Sequence, residues 1–187
     1  LKADWDGIVE MGRQEVSEGA HALDVCTAYV GRNEAEDMRE VLYRFASQVT
    51  APVMIDSTQI DVLEAGLKLL GGRAIINSIN LEDGEKRFDR ICELSYRFGA
   101  ALVALTIDEE GMAKTAARKL AVARRMYDLA TARHGIPAEA LVYDPLTFTV
   151  ASGDEDSRRA ALETLEAIRL IKSEIPKART ILGVSNV

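Results

Sequence analysis

Four short polar motifs sit where aliphatic runs end: Ile55-Asp56-Ser57-Thr58, Ile76-Asn77-Ser78-Ile79, Tyr143-Asp144-Pro145 and Gly183-Val184-Ser185-Asn186. They supply two carboxylates, Asp56 and Asp144, and two carboxamides, Asn77 and Asn186. A carboxylate facing a 2-amino-4-oxo ring accepts from the exocyclic amine and the adjacent ring N–H together, a bidentate and directional pairing. A carboxamide both donates and accepts, which suits a heterocycle whose edge mixes the two. Gly183 adds backbone N–H, and Ser185 a hydroxyl. Groups at the carboxyl ends of parallel strands in a βα-repeat protein converge on one face. Those residue types aimed at one mouth make a hydrogen-bonding site for a planar ring.

Local structure accounts for some of these residues and not for others. Ser57 and Thr58 precede a helical pattern and suit a cap. Asp56 sits too early for that role and is expected to point into the mouth. Asp-Pro at 144–145 is also a turn signal, and a strand-end Asn is often turn chemistry. Ile79 and Asn80 continue past Asn77, however, so no tight turn begins at once. Asp24, Ser78 and Asp108 are expected behind the direct contacts. In Asp108-Glu109-Glu110-Gly111, the two glutamates read as acids favouring the dipole of a following helix.

Other chemistries lack candidates. The sequence has no Ser-His-Asp set, no HExxH and no phosphate-binding loop. His134 lies beside Gly135, where a helix C-cap is expected. His21 precedes a strand and belongs at the opposite end. No metal-ligand set is present. Cys26 and Cys92 are far apart and read as two small apolar residues in a reducing, cytoplasmic compartment. A net charge of -7 argues against nucleic acid and against an anionic membrane surface. The longest apolar stretch, residues 100–107, is far too short to span a bilayer.

The elements that must position these groups alternate along the chain. Helical periodicity predicts helices over residues ~5–18, ~33–49, ~59–70, ~84–98, ~112–134 and ~155–174. Short, continuously apolar strands are predicted at ~22–26, ~53–55, ~73–76, ~101–107, ~140–143 and ~179–182, as parallel strands covered on both faces require. The strand spacing of roughly 20–40 residues is a βα period. With 187 residues, 48% of them hydrophobic, the chain has ample core material. An open doubly wound sheet would carry a Gly-rich loop after an early strand, whereas the loop after Cys26 holds only Gly31. The expected fold is therefore α/β, a (β/α)8 TIM-type barrel seen as one partial domain over residues 1–187. About six strands and six helices are present, and the first strand and last βα portion are absent. A start at Leu1 and a stop inside a polar motif at Val187 read as a segment of a longer protein.

Gly19-Ala20-His21-Ala22-Leu23-Asp24, Ile55-Asp56-Ser57-Thr58, Ile76-Asn77-Ser78-Ile79, Ile107-Asp108-Glu109-Glu110-Gly111 and Gly183-Val184-Ser185-Asn186-Val187 together resemble the pterin-binding family. That family includes dihydropteroate synthases, methyltetrahydrofolate:corrinoid methyltransferases and the folate domains of cobalamin-dependent methionine synthases, and the motifs are most similar to the last. The resemblance implies a barrel holding N5-methyltetrahydrofolate at its mouth. It also implies methyl transfer to a cobalamin carried by another domain or a corrinoid protein, with no metal bound directly by this segment. Asp56, Asn77 and Asp144 match the family's ring contacts. Asn186 matches the carboxamide near N5, with Asp56 supporting it in catalysis, and Gly183 and Ser185 are counted with the substrate site. A dihydropteroate synthase, or a corrinoid methyltransferase of another pathway, is the alternative. Dihydropteroate synthases carry a basic residue at the last motif, and this chain has no Lys or Arg in residues 183–187.

Overall fold

The computed structural model of the protein describes residues 3–147 and 155–183, with side chains from residue 159 onward in the second stretch. The chain divides into two compact units, Leu1–Asn77 with Arg97–Ala100, and Ser78–Tyr96 with Ala101–Val187.

In the first unit, α1 (Trp5–Ser17) begins where the Asp4 carboxylate accepts from Gly7 N–H at 2.9 Å. Strand β1 (Leu23–Cys26) alternates: Leu23 and Val25 are buried, while Asp24 and Cys26 face the other side. Helix α2 (Glu34–Gln48) is capped by the Asn33 carboxamide and buries Met38, Val41, Leu42 and Phe45 at helical spacing. Strand β2 (Val53–Asp56) is apolar until its last residue. Helix α3 (Ile60–Leu67) lies close to α2 through Gly66, where an added Cβ would come within 2.8 Å of Leu42 Cδ1 and 2.9 Å of Ile55 Cδ1. Gly66→Ala is therefore expected to cost about 1–2 kcal/mol net, overpacking outweighing the gain in helix propensity. Urea unfolding measures it, and an unchanged midpoint would show that Leu42 and Ile55 yield freely. Strand β3 (Ile75–Ile79) runs parallel to β2, as β2 does to β1.

The second unit takes up the chain at Ser78. Helix α4 (Glu85–Phe98) buries Phe88, Ile91, Cys92 and Leu94. Strand β4 (Ala101–Leu105) is followed by a two-stranded antiparallel hairpin, β5 (Ile107–Asp108) with β6 (Gly111–Met112). Helix α5 (Ala116–Asp128) starts at Thr115, whose hydroxyl accepts from Arg118 N–H at 3.3 Å, and runs into a π-helical turn over Leu129–Arg133. Strand β7 (Leu141–Asp144) pairs in parallel with β4 and with β8 (Arg179–Thr180), and α6 (Glu155–Glu174) links those last two strands.

Among the described residues six parallel strands thus alternate with six helices, in the chain-following order β1-β2-β3-β4-β7-β8 expected of a βα repeat. One expectation is corrected. Residues 107–112 are neither the end of a strand nor the start of a helix. Gly111, at φ 92°, turns the chain into the hairpin, and Thr115 rather than the acidic run opens α5. Glu109 and Glu110 accordingly pair with Arg125 and Arg118 rather than with a helix dipole.

Candidate functional site

In the first unit the ends of β1 and β2 lie beside the middle of β3; Asn77, expected just past a strand, sits within β3, which runs on to Ile79. The register sets Cys26 against Asp56 and Asp56 against Asn77. Ser57 N–H donates to the Asn77 carbonyl at 3.3 Å, fixing the backbone just beyond the strand. The Asn77 carboxamide donates to Asp24, and the Cys26 thiol donates to Asp56. Burial raises the pKa of Asp24, and the neighbouring Asp56 charge raises it further, against the Asn77 hydrogen bond. Asp56 is raised by burial and by Glu34, against the thiol's hydrogen bond. Two carboxylates raised mainly by burial thus lie on neighbouring strands.

The linkage has a definite sign. A carboxyl whose folded pKa is raised binds its proton more tightly in the native state. Its penalty on folding is absent at acid pH, grows as pH rises from the ordinary value of 3.8 through the raised value, and is complete at neutrality. Asp24→Asn is thus expected to raise the thermal midpoint by a few degrees at pH 7, the advantage shrinking toward acid pH. Calorimetry at two pH values checks this; a loss of stability at neutral pH would contradict it.

The second unit holds a separate group of polar residues. Asp144 ends β7, paired in register with Leu105 of β4. One carboxylate oxygen accepts from Leu146 N–H at 2.8 Å, and Gly183 N–H also donates to this carboxylate. Burial raises its pKa, opposed by both backbone donors and by the Lys119 cation. Leu146 sits at φ 57°, a left-handed conformation that costs a non-glycine residue about 1–2 kcal/mol. The turn is thus held by its surroundings. Gly183 and Asp144 are brought together as expected; Ser185 and Asn186 lie outside the described residues. The Ser78 carbonyl accepts from Arg87 at 3.3 Å. Asp108 accepts from Arg118 at 2.6 Å and from Glu110 N–H at 3.1 Å, which ties it to the hairpin and to α5.

Comparison with known proteins decides the family. The model of pterin binding enzymes matches residues 1–187. The chain belongs to the pterin-binding enzyme family. It is 46% identical over 190 residues to the methionine synthases of Mycobacterium leprae (strain TN) and Mycobacterium tuberculosis (strain ATCC 25618 / H37Rv), covering all of this chain and 16% of theirs. The fold is similar to that of dihydropteroate synthases. The Xanthomonas albilineans structure with 4-aminobenzoic acid aligns with TM-score 0.72 at 18% identity, over 97% of this chain and 65% of that one. The Yersinia pestis structure with a pterine-sulfa conjugate aligns with TM-score 0.68 at 14% identity, over 98% and 69%. Those likenesses support the TIM-type βα arrangement of a pterin-binding chain that here contributes six parallel strands.

Sequence reasoning on this pterin-binding chain missed three residues beside the motifs. Glu34 accepts from Ser57 Oγ and from Gln59 Nε2, the latter at 2.6 Å, so it braces the turn after Asp56. Ser57 Oγ in turn accepts from Gln59 N–H at 3.0 Å, but Gln59 is the N-cap of α3 and makes no side-chain cap hydrogen bond, so the cap expected of Ser57 or Thr58 is corrected. Cys26 is exposed on the strand face shared with Asp24, unlike the buried Cys92, because β1 alternates instead of being covered on both sides. The period-2 pattern Leu23-Asp24-Val25-Cys26 carried that signal. Lys119 is fully buried on the α5 stripe Ala116, Lys119, Val122, Ala123, Met126, and a lysine at an apolar helix position was the cue. His134 is the C-cap of the π-helical turn, as expected, and its Nε2 also meets Asp89 at 2.7 Å. Among the described residues no helix is long and apolar enough to cross a membrane.

Proposed function

We propose that this chain binds N5-methyltetrahydrofolate and supports transfer of its methyl group to a cob(I)alamin carried by another domain or subunit, as in methionine synthesis from homocysteine. The observation that carries the reading is the side-by-side placement of Asp56, at the end of β2, and Asn77, within β3, in a chain of this family. The 46% identity to methionine synthases favours methyl transfer over dihydropteroate synthesis, as does the absence of Lys or Arg from residues 183–187.

The corrinoid supplies the nucleophile when its domain is present. The chain's own residues bind and orient the folate and favour the form of N5 that has taken a proton from solvent. Asp144 accepts from the ring's amino group and adjacent N–H, its carboxylate already held by Leu146 and Gly183 N–H. Asn77 meets the mixed donor and acceptor edge. Tetrahydrofolate leaves as a neutral amine only when N5 carries a proton. Asn186, which matches the family's motif, would hydrogen-bond N5 in its protonated form, with Asp56 in support. Holding the methyl carbon in line supplies much of the remaining acceleration.

The test is anaerobic demethylation of N5-methyltetrahydrofolate by the intact protein with free cob(I)alamin added, followed by the corrinoid's absorbance. Folate-dependent methylation of the corrinoid is expected. Folate binding with no demethylation would reduce the chain to a module that only presents substrate.

A further inference from the structure

Lys119 is the most deeply buried charged side chain of the second unit's polar cluster, and no motif explains it. Its side chain is fully buried on α5. Its Nζ donates to the carbonyl of Pro145, to the carbonyl of Leu146 at 2.8 Å and to Thr164 Oγ1 of α6 at 3.1 Å. Thr164 Oγ1 itself donates to the Leu146 carbonyl at 2.8 Å. The two residues that follow Asp144 are thus pinned from beneath. Leu146, held there in its left-handed conformation, presents its N–H to the Asp144 carboxylate.

We propose that Lys119 is a positioning residue for pterin binding: its ammonium group shapes the Pro145-Leu146 turn that aims the Asp144 carboxylate. The inference rests on the folate reading above.

An uncharged acceptor cluster would hold the turn equally well with a hydroxyl or amide donor. A cation does something more, because it opposes the burial that raises Asp144. Among the described residues, Asp144 on β7 and Glu163 on α6 are anions acting on Lys119. Glu163 is occupied with Ala116 N–H at 2.6 Å. Asp108 on β5 is engaged by Arg118, and β4 (Ala101–Leu105) carries no ionisable side chain. Burial lowers Lys119 to about 8, against the pull of Asp144 and Glu163, so its charge is present at neutral pH and lost just above it. Folate affinity inherits that titration.

The experiment is calorimetric binding of N5-methyltetrahydrofolate to the intact protein between pH 6.5 and 9.5, in wild type, Lys119→Met and Lys119→Arg. In the wild type, affinity should fall as pH rises through about 8. Lys119→Met should bind roughly tenfold or more weakly at neutral pH, with the alkaline limb gone. Lys119→Arg should restore much of the affinity without that limb, since guanidinium stays charged. A lysine that merely fills space would give no such profile. If Lys119→Met does not fold, the wild type and Lys119→Arg still decide: a limb abolished by arginine supports the proposal. A wild type that binds with no limb near pH 8, or a limb that persists in Lys119→Arg, overturns it while leaving the folate reading intact. A folded wild type that binds at no pH overturns the folate reading, and this inference with it.

Discussion

Asp144→Asn will bind N5-methyltetrahydrofolate roughly 30- to 3,000-fold more weakly than the wild type, about 2–5 kcal/mol. The carboxylate offers only acceptors, and everything around it donates. Leu146 and Gly183 N–H reach it from the backbone, and Lys119 lies close enough to oppose the effect of burial. A pterin edge would add two further donors, the amino group and a ring N–H. Asparagine keeps one acceptor and turns an NH2 toward one of those donors, leaving it desolvated and unpaired. The fold should survive, because a partly buried anion with a raised pKa is replaced by a neutral isostere. Calorimetry alongside thermal unfolding checks both parts. Affinity within threefold of wild type in a folded Asp144→Asn protein would move the ring contact elsewhere.

Asn186→Ala should behave differently. If the carboxamide acts on N5 as the proton arrives, its loss falls on the transition state, and methyl transfer should drop about a hundredfold or more while folate affinity changes little. Single-turnover demethylation with the corrinoid in excess reads the chemical rate, and calorimetry reads the binding. Equal losses in both would make Asn186 an ordinary ligand contact. The contrast with Asp144 matters: one residue is predicted to serve the ground state, the other the reaction.

Much of this arrangement was legible in the chain. Runs such as Val53-Met54-Ile55 and Leu141-Val142-Tyr143 announce strands because a parallel strand covered on both faces has no polar side. The residue that breaks each run, Asp56 or Asp144, then stands out at the strand end. Helix starts at Asn33 and Thr115 carry their capping side chains in sequence; the predicted start at ~33 coincides with the first, and the one at ~112 falls short of the second. The apolar stretch through Ile107 and the acids that follow imitate a strand feeding a helix. The two-residue arms of β5 and β6 are too short to show an alternating pattern. Lys119 and Glu34 escaped for a related reason. Each does its work through partners 23–45 residues away in the chain, Ser57, Gln59, Pro145 and Thr164, and no local window contains them. Asp24 and Asp56 were found by position alone. Burial raises both pKa values, helped by Asp56 at Asp24 and by Glu34 at Asp56, and only the folded arrangement reveals that burial.

The central claim is that this pterin-binding chain takes a reduced methyl-folate. Its most direct test is calorimetric titration of the intact wild-type protein with N5-methyltetrahydrofolate at neutral pH, with a pterin pyrophosphate titrated in parallel. The account predicts saturable, micromolar-range binding of the folate at one site and little or no binding of the pyrophosphate. Tight binding of the pyrophosphate with none of the folate would contradict it and return the chain to dihydropteroate chemistry.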